Sequence, residues 1–350
     1  VRERKKVVVQ MIKTDPQAVI DNVLPMLVRQ SLPADVQQYI ESEKTVEGEL
    51  TVLHVDGQGK PFDDADSTFL YEVKDARGKR TNVFFVKDAP ALQTGDKIRV
   101  RGVELENQLA ALSQQNATVV SSSPAVSKTL GAKKTLVILV NFSDKKTEPA
   151  TIAEVRTAMN TTSEFFKENS FNKAWLTDGK VSTQAADVAG WFTIPLTSTG
   201  CAPSTLAHGA KAAAQANGYD LSQYSRYIYA FPKNACGFWG AGEVGGDESW
   251  INIICDRVGF ELLVIGHELG HNLGLYHSHS LKCHNITICV SKEYGDIYDI
   301  MGGNGHFNAF QKELLGWLNQ SGFPPITPVT TSGVYTIAPY EKNDTSAKAL

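Results

Sequence analysis

The amino-acid sequence has no long hydrophobic run, no strong net charge and no composition typical of a disordered chain. No apolar stretch approaches roughly 18 residues, the length that suggests a membrane-spanning helix, so no span is predicted. A formal net charge of −4 argues against a nucleic-acid-binding protein that relies on bulk electrostatics. The 42% hydrophobic and 21% charged residues are typical of a globular protein. The 350 residues suffice for about two domains with buried cores.

Cysteine is absent from the first 200 residues, which predicts two unlike halves of the chain. All five cysteines lie within residues 201–289, and the odd number leaves one thiol to explain. Cys283 and Cys289 are close enough in sequence to form a disulfide, which would suit a secreted protein. The other three cysteines then share one bridge, and the sequence leaves open which of them is unpaired: Cys201, Cys236 or Cys255.

Residues 1–125 are predicted to form an N-terminal domain with a helical start and a small β-barrel. Residues 7–40 indicate one or two helices, with Pro25 and Pro33 as breaks. Five short β-branched segments indicate strands: Val46–Val55, Ser67–Val73, Thr81–Val86, Lys97–Val103 and Ala117–Val120. With a TGDKIRVRG segment, they resemble a barrel of the OB type, which often binds nucleic acid. The 17 basic and 18 acidic residues among residues 1–130 instead favour a barrel without nucleic acid.

Residues 126–133 are predicted to be a linker, and residues 134–322 an α/β domain in which strands alternate with helices. The expected strands and helices of this domain are Lys134–Phe142, 150–169, 204–217 with Ser204 as its N-cap, Arg226–Phe231 and Trp250–Ile254. The glycine-rich stretch Gly237–Gly246 is interpreted as a loop without the spacing of a phosphate-binding loop. Residues 323–350 are expected to begin a truncated C-terminal β domain, because Gly333–Ile337 alternates like a strand.

The residues most indicative of chemistry are 267–277, which follow the pattern H-E-x-x-H-x-x-G-x-x-H. On a helix, His267 and His271 are one turn apart, so both imidazoles project from one face and can hold one Zn²⁺ ion. Glu268 lies beside the first ligand, where its carboxylate can reach a water on the metal without occupying the metal. Three neutral imidazoles would leave the ion dipositive and its water acidified.

The third histidine of the pattern requires a change of chain direction. If the helix continued, His277 would lie about 15 Å further along the axis than the first histidine. Gly274 permits the turn, because glycine can adopt positive φ and end a helix.

The motif resembles that of the metzincin zinc endopeptidases, which also carry a methionine in a tight turn beneath the metal. Met301 in the segment DIMGG matches that methionine and would pack under the imidazoles, because a thioether is a poor Zn²⁺ ligand. Within the metzincins, the order of TLVILVNFSD, EFFKENSFNKAWL, the motif helix and DIMGG resembles the gametolysin-type peptidases, over about residues 131–345. No tyrosine lies two residues after Met301, so an astacin-like tyrosine ligand is not expected. No cysteine precedes Cys201, which excludes a cysteine-switch propeptide.

The resemblance implies a metzincin-like α/β (α+β) catalytic domain with a twisted sheet and an active-site helix, holding a catalytic Zn²⁺ at His267, His271 and His277. It implies a secreted zinc endopeptidase that hydrolyses peptide bonds by a zinc-activated water, with Glu268 as general base. The implied substrates are proteins or peptides, including extracellular-matrix or cell-wall proteins. A structural Ca²⁺ ion is a further option for which the sequence holds no specific pattern.

By its position, the N-terminal domain is expected to be a propeptide that docks on the catalytic cleft, which would make the chain a zymogen. A permanent accessory domain is the alternative. Latency would then need steric cover or a zinc-blocking group. The acidic loop Asp63–Asp66 is one source of a blocking carboxylate, although an ordinary solvated turn is the favoured interpretation.

Two other functions stay open: an extracellular binding or adhesion protein with a peptidase-like domain, and a zinc hydrolase of non-peptide substrates. The intact Glu268 argues against the first. His279, His284 and His306 are interpreted as surface or supporting residues, and Asp299 is a weak candidate for a hydrogen bond to a ligand histidine. Secretion agrees with six Asn-x-Ser/Thr triplets, at Asn116, Asn141, Asn160, Asn285, Asn319 and Asn343.

Overall fold

A computed structural model describes residues 1–57, 67–86, 91–112, 117–122, 129–180, 184–253, 261–285, 288–342, 344 and 346–349. The chain divides into two compact units. The first unit comprises Val1–Leu53 and Phe69–Pro124, and the second comprises His54–Thr68 and Ala125–Leu350. No helix in the described ranges combines the length and apolar character that crossing a membrane requires.

The first unit begins with short helices that end where the sequence places proline or aspartate. Four helices are described there: α1 (Arg2–Thr14), α2 (Pro16–Asp21), α3 (Met26–Gln30) and α4 (Ala34–Gln37). The prediction of one or two helices was wrong in number, because Pro25 and Pro33 each precede a new helix. Buried Val8 and Ile12 of α1 pack with Val103 and Ala110, so the helices cover part of the strands that follow.

The strands of the first unit are β1 (Ser42–Gly57), β2 (Thr68–Lys74), β3 (Arg80–Phe85), β4 (Lys97–Leu105), β5 (Gln108–Ala111) and β6 (Ala117–Ser121). Strand β4 pairs antiparallel with β1, β5 and β6, whereas β3 pairs antiparallel with β2 and parallel with β5. Sequence reasoning missed β5, because its four residues contain no β-branched side chain.

The second unit contains a mixed sheet whose central strand is β7 (Gly131–Phe142). Its other strands are β8 (Ala174–Thr177), β9 (Asp187–Ile194), β10 (Arg226–Pro232), β11 (Phe238–Glu243) and β12 (Glu248–Ile253). Strand β7 pairs parallel with β8, β9 and β10, β10 pairs parallel with β12, and β11 pairs antiparallel with β12. Residues 136–140 of β7 are fully buried, as expected for a strand covered on both faces.

Two expectations for this sheet were wrong. The glycine-rich stretch interpreted as a loop contains strand β11. Asn141 is buried in β7, where its Oδ1 accepts a hydrogen bond from Thr193 Oγ1 at 2.7 Å. It is therefore not a surface glycosylation acceptor.

Helices and one hairpin complete the second unit. The helices are α5 (Ile152–Asn169), α6 (Pro203–Ala216), α7 (Leu262–Asn272) and α8 (Ala309–Leu314), and the hairpin strands are β13 (His279–Cys283) and β14 (Cys289–Glu293). Ser204 is not the N-cap of α6, because Pro203 already occupies the first helical turn and Ala202 is the cap. Residues 333–337 form no strand, contrary to their alternation.

The core of the second unit positions α7. An apolar cluster joins strands β7 and β10, helices α5 and α7, and the turn that contains Met301. Among its members are Val137, Ile228, Met159, Ile265, Leu269 and Met301. Disulfides join Cys201 to Cys236 and Cys283 to Cys289, which confirms the second pairing expected from the sequence. Cys255 and the acidic loop Asp63–Asp66 lie outside the described residues.

Candidate metal centre

Helix α7 presents two histidines from one buried face. His267 and His271 are completely buried, and their ring centroids lie 4.8 Å apart. The spacing of four residues accounts for this arrangement, because side chains at i and i+4 lie one above the other on a helix.

The end of α7 brings the third histidine back to this face. Gly274 has φ of +97°, a left-handed conformation that favours glycine. Its N–H donates to the carbonyl of His271 at 2.8 Å, and the N–H of Leu275 donates to that of Gly270 at 3.2 Å, which is the Schellman pattern of helix termination. The reversal places the His277 ring 5.0 Å from that of His267 and 5.1 Å from that of His271.

The Nδ1 atom of each of the three imidazoles contacts an oxygen atom outside the group of histidines. The Nδ1 atoms of His267 and His271 lie 2.8 Å from the carbonyl oxygens of Ile300 and Leu275. A carbonyl only accepts, so both Nδ1 atoms carry hydrogen, and the Nε2 atom of each ring is the one that could bind a metal ion. His277 Nδ1 lies 2.7 Å from Glu293 Oε1, which gives the third histidine the same orientation.

The Nε2 atoms meet the requirements of a zinc ion. His271 Nε2 is buried without a hydrogen-bond partner in the described structure. His267 Nε2 and His277 Nε2 are 3.1 Å apart, whereas tetrahedral coordination with Zn–N bonds of 2.0–2.1 Å separates two ligands by about 3.4 Å. Inward-facing nitrogens at this spacing, on rings that are each oriented by an outer hydrogen bond, fit a zinc site.

Glu268 lies on the side of α7 that faces strand β11. Both of its carboxylate oxygens are buried without a hydrogen-bond partner in the described structure. A Cβ atom at Gly240 would overlap this carboxylate, and one at Gly242 would lie 2.7 Å from the Glu268 carbonyl oxygen. The glycines of the sequence thus allow a strand to approach the helix closely.

Met301 lies in a tight turn below the histidines. The side chain is fully buried, and a Cβ atom at Gly270 of α7 would overlap its sulfur. The turn is closed by Asp299, whose carboxylate accepts from the N–H of Met301 at 2.6 Å and whose carbonyl accepts from the N–H of Gly303 at 2.6 Å. Met301 therefore packs against the backbone that carries His271.

Sequence reasoning missed the acidic and aromatic groups that surround these histidines. Asp56, near the end of β1, places Oδ2 3.1 Å from His267 Nε2 and Oδ1 3.1 Å from His277 Nε2. Tyr294 donates its hydroxyl to Asp56 Oδ1 at 2.9 Å. The His54 ring lies 3.8 Å from that of His277.

A metal ion could also be held by a set that includes these additional residues. Potential ligand atoms of four buried residues lie within 4.8 Å of one another: His54, Asp56, His271 and His277. Asp56 and His277 are 221 positions apart in the chain. No local pattern signals such a contact, and a His-x-Asp triplet within a strand has no specificity of its own.

Burial and charge perturb the groups at this centre. Burial, reinforced by the neighbouring histidines, lowers the pKa of His271 well below its usual range. Burial opposes ionisation of Asp56, but the charges and hydrogen bonds of His267 and His277 outweigh it and hold the pKa of Asp56 well below its usual range. Burial and the charge of Asp56 raise the pKa of Glu268 well above its usual range. Protons and a metal ion compete for the same histidine lone pairs.

A comparison with known families covers the region that contains these residues. The family model described as gametolysin peptidase M11 matches residues 140–340. The chain belongs to the gametolysin peptidase M11 family. This confirms the resemblance proposed from the sequence, and the matched region includes α7, Glu268 and Met301.

Structural similarity to solved proteins is weaker. Archaemetzincin (amzA) from Methanopyrus kandleri has a TM-score of 0.30 and 15% identity, and the match covers 53% of this chain and 94% of that one. A chain from a chaperone–substrate complex has a TM-score of 0.30 and 16% identity, with 69% of this chain and 38% of that one covered. No curated protein sequence matches. The family assignment therefore rests on the family model.

Other candidate residues of this gametolysin-family chain lie in different surroundings. The Asp299 carboxylate accepts from the N–H groups of Met301 and Asn308, and within the described residues it is the carbonyl of the adjacent Ile300, not this carboxylate, that accepts from His267. His279 is exposed and bonded to Ser291. His306 contacts Asn169 and stacks on Phe165.

Proposed function

We propose that this gametolysin-family chain is a zinc-dependent endopeptidase in which His267, His271 and His277 hold the metal. One observation carries the proposal: all three Nδ1 atoms are bound to outer acceptors, and His271 Nε2 is buried without a partner. Burying a polar atom without a partner costs free energy of folding. Three imidazoles whose Nε2 atoms converge, one of them buried without a partner, are therefore best explained as ligands of a metal ion.

In the proposed mechanism, bound Zn²⁺ supplies a Lewis acid that acidifies water and polarises the scissile carbonyl. Glu268 removes a proton from the attacking water and later delivers it to the leaving amine. Its two oxygens, which are buried without a hydrogen-bond partner in the described structure, support this role because they can accept a proton from water. Met301 keeps the backbone of α7 in place from below.

Strand β11 is the proposed docking strand for substrate. It is the antiparallel strand of the sheet, and its residues Gly240 and Gly242 lie against Glu268 and His271. An extended peptide paired with this strand would lie beside the general base. Main-chain hydrogen bonds would then orient the scissile bond largely independently of side-chain sequence.

We further propose a secreted enzyme that is synthesised as a zymogen. The two disulfides of the second unit support an oxidising compartment. The first unit is proposed to be the propeptide. We also propose that it is an OB-like barrel, which is supported by strand pairing that runs in the order β1–β2–β3–β5–β4 and returns from β4 to β1. By family resemblance, the proposed substrates are extracellular-matrix or cell-wall proteins.

The test is hydrolysis of casein by the full chain, before and after limited proteolysis, with and without a zinc chelator. We expect activity after processing, loss of activity with chelator and recovery on adding Zn²⁺. Glu268→Ala should lower the rate by about 10²–10⁴-fold with unchanged zinc content, whereas Glu148→Ala, at an exposed position of the same unit, should keep full activity.

Two outcomes would point to other functions. Zinc binding without hydrolysis of casein or gelatin, in the processed chain, would favour a binding protein or a hydrolase of non-peptide substrates. Wild-type activity in the Glu268→Ala variant would refute the proposed general base.

A further inference from the structure

The segment that carries Asp56 belongs to the second unit, although its chain neighbours on both sides belong to the first. The chain leaves the first unit after Leu53 and returns to it at Phe69. The segment between them, His54–Thr68, is called the excursion below. Strand β1 ends with His54–Gly57 within this excursion. Both a histidine and a carboxylate of the excursion are therefore buried in the unit that holds the motif helix.

The Asp56 carboxylate lies where the Nε2 atoms of the histidines converge. Its two oxygens contact different histidines, each at 3.1 Å from an Nε2 atom. An ordinary ion pair with a surface histidine would involve one oxygen and either ring nitrogen. Here the carboxylate faces the lone pairs that the Nδ1 hydrogen bonds leave available, which is the position of an additional ligand to the same ion.

Glu293, the last residue of β14, and Tyr294, which follows it, hold the excursion at both of its described ends. Tyr294 donates to Asp56 Oδ1 at 2.9 Å. Glu293 accepts from Ser67 Oγ at 2.8 Å and, through the same oxygen, contacts His277 Nδ1 at 2.7 Å. The hairpin that orients the third histidine thus also fixes the segment that carries the carboxylate.

We propose that Asp56 is a fourth ligand of the zinc ion in the full chain and that the His54–Thr68 excursion thereby keeps the peptidase latent. This proposal rests on the proposed zinc-peptidase function. With three histidines and one carboxylate on the ion, the coordination of a closed site is complete. Asp56 excludes the attacking water and lies beside Glu268. Activation then requires withdrawal of the excursion.

The experiment uses the full chain loaded with Co²⁺, whose visible spectrum reports ligand number and type. Wild type is compared with Asp56→Asn, with Asp56→Ala and with the control Asp144→Asn, whose exposed carboxylate accepts hydrogen bonds from Ser198. Each protein is also assayed for the rate of Zn²⁺ removal by a chelator and for casein hydrolysis without processing. Circular dichroism checks that each variant is folded.

We expect both Asp56 variants to change the cobalt spectrum and to hydrolyse casein without processing. Their loss of Zn²⁺ should be faster by roughly tenfold or more, since even groups outside the ligand set alter metal affinity by 10–100-fold. Asp144→Asn should match wild type in all three measurements. The cobalt spectrum of wild type should change in the same way when limited proteolysis removes the excursion, a comparison that needs no variant.

The outcomes separate this proposal from the proposed function. If spectrum and metal release change but no form cleaves casein, Asp56 is a ligand and the peptidase proposal fails. If processed wild type cleaves casein while the Asp56 variants and the processed chain keep the wild-type spectrum, the peptidase stands and Asp56 is not a ligand. Latency through Asp56 is refuted if the variants change the spectrum but stay as inactive as wild type, while the processed chain is active.

Discussion

At the scale of single residues, the three histidines differ in what orients them. His267 and His271 are held by backbone carbonyls of Ile300 and Leu275, which any sequence could provide. The Nδ1 atom of His277 instead contacts a side chain, Glu293. Its orientation is therefore the one that a single substitution can remove without disturbing the backbone.

Glu293→Ala should weaken zinc binding because the His277 ring loses the acceptor that fixes its tautomer and direction. We expect a decrease in affinity of about 10–100-fold, measured by competition with a chelating dye. Glu313→Ala, at an exposed position of α8, is the control and should bind zinc like wild type. Equal affinity in the Glu293 variant would mean that the ring is oriented by packing alone.

At the scale of elements, the distance between strand β11 and helix α7 is set by glycine. Gly240 and Gly242 leave room for the Glu268 carboxylate and the backbone of α7. The stretch around them has too few side chains to be recognised as a strand from sequence. The packing of helix α7 against this strand explains why its residues are glycines.

Gly240→Ala should displace Glu268, since the added methyl group would overlap its carboxylate. We expect destabilisation of about 1–3 kcal/mol and, in the processed enzyme, an activity loss on the order of 100-fold. Gly200→Ala is the control, because a Cβ atom there meets open space. Denaturant unfolding and casein hydrolysis measure the two effects, and a fully active Gly240 variant would contradict the proposed position of the general base.

At the scale of the whole molecule, chain order and compact units do not coincide. Residues 54–68 belong to the second unit, but the strands that flank them run in the first. Both described disulfides are in the second unit. A cut in the linker before β7 would leave both disulfides with the peptidase portion, and the Asp56 segment with the portion removed.

Activation should therefore yield a protein that begins within residues 121–133. N-terminal sequencing of the species that hydrolyses casein tests this expectation, with the uncut chain assayed in parallel. Processed and uncut chains of equal activity would show that the first unit is a permanent accessory domain. A start before residue 54 in the active species would contradict latency through Asp56.

Local sequence patterns predicted several helices and strands correctly. They failed for elements whose conformation depends on tertiary packing. The apolar run of β7 and the periodic helix α5 agree with their expected ranges. Strand β5 and strand β11 were missed, because their alanine and glycine residues carry little strand preference. Ser204 was assigned as a cap although Pro203 starts the helix one residue earlier.

The sequence by itself determined how the three histidines of residues 267–277 are arranged, because one helical turn and one glycine reversal fix their positions. It also indicated Met301 and the family. Only the tertiary structure decided what surrounds the motif: Asp56, 221 positions from His277, and Tyr294, 238 positions from Asp56. Spacing along a chain specifies contacts within a turn of helix, whereas contacts across hundreds of residues depend on how every intervening element packs.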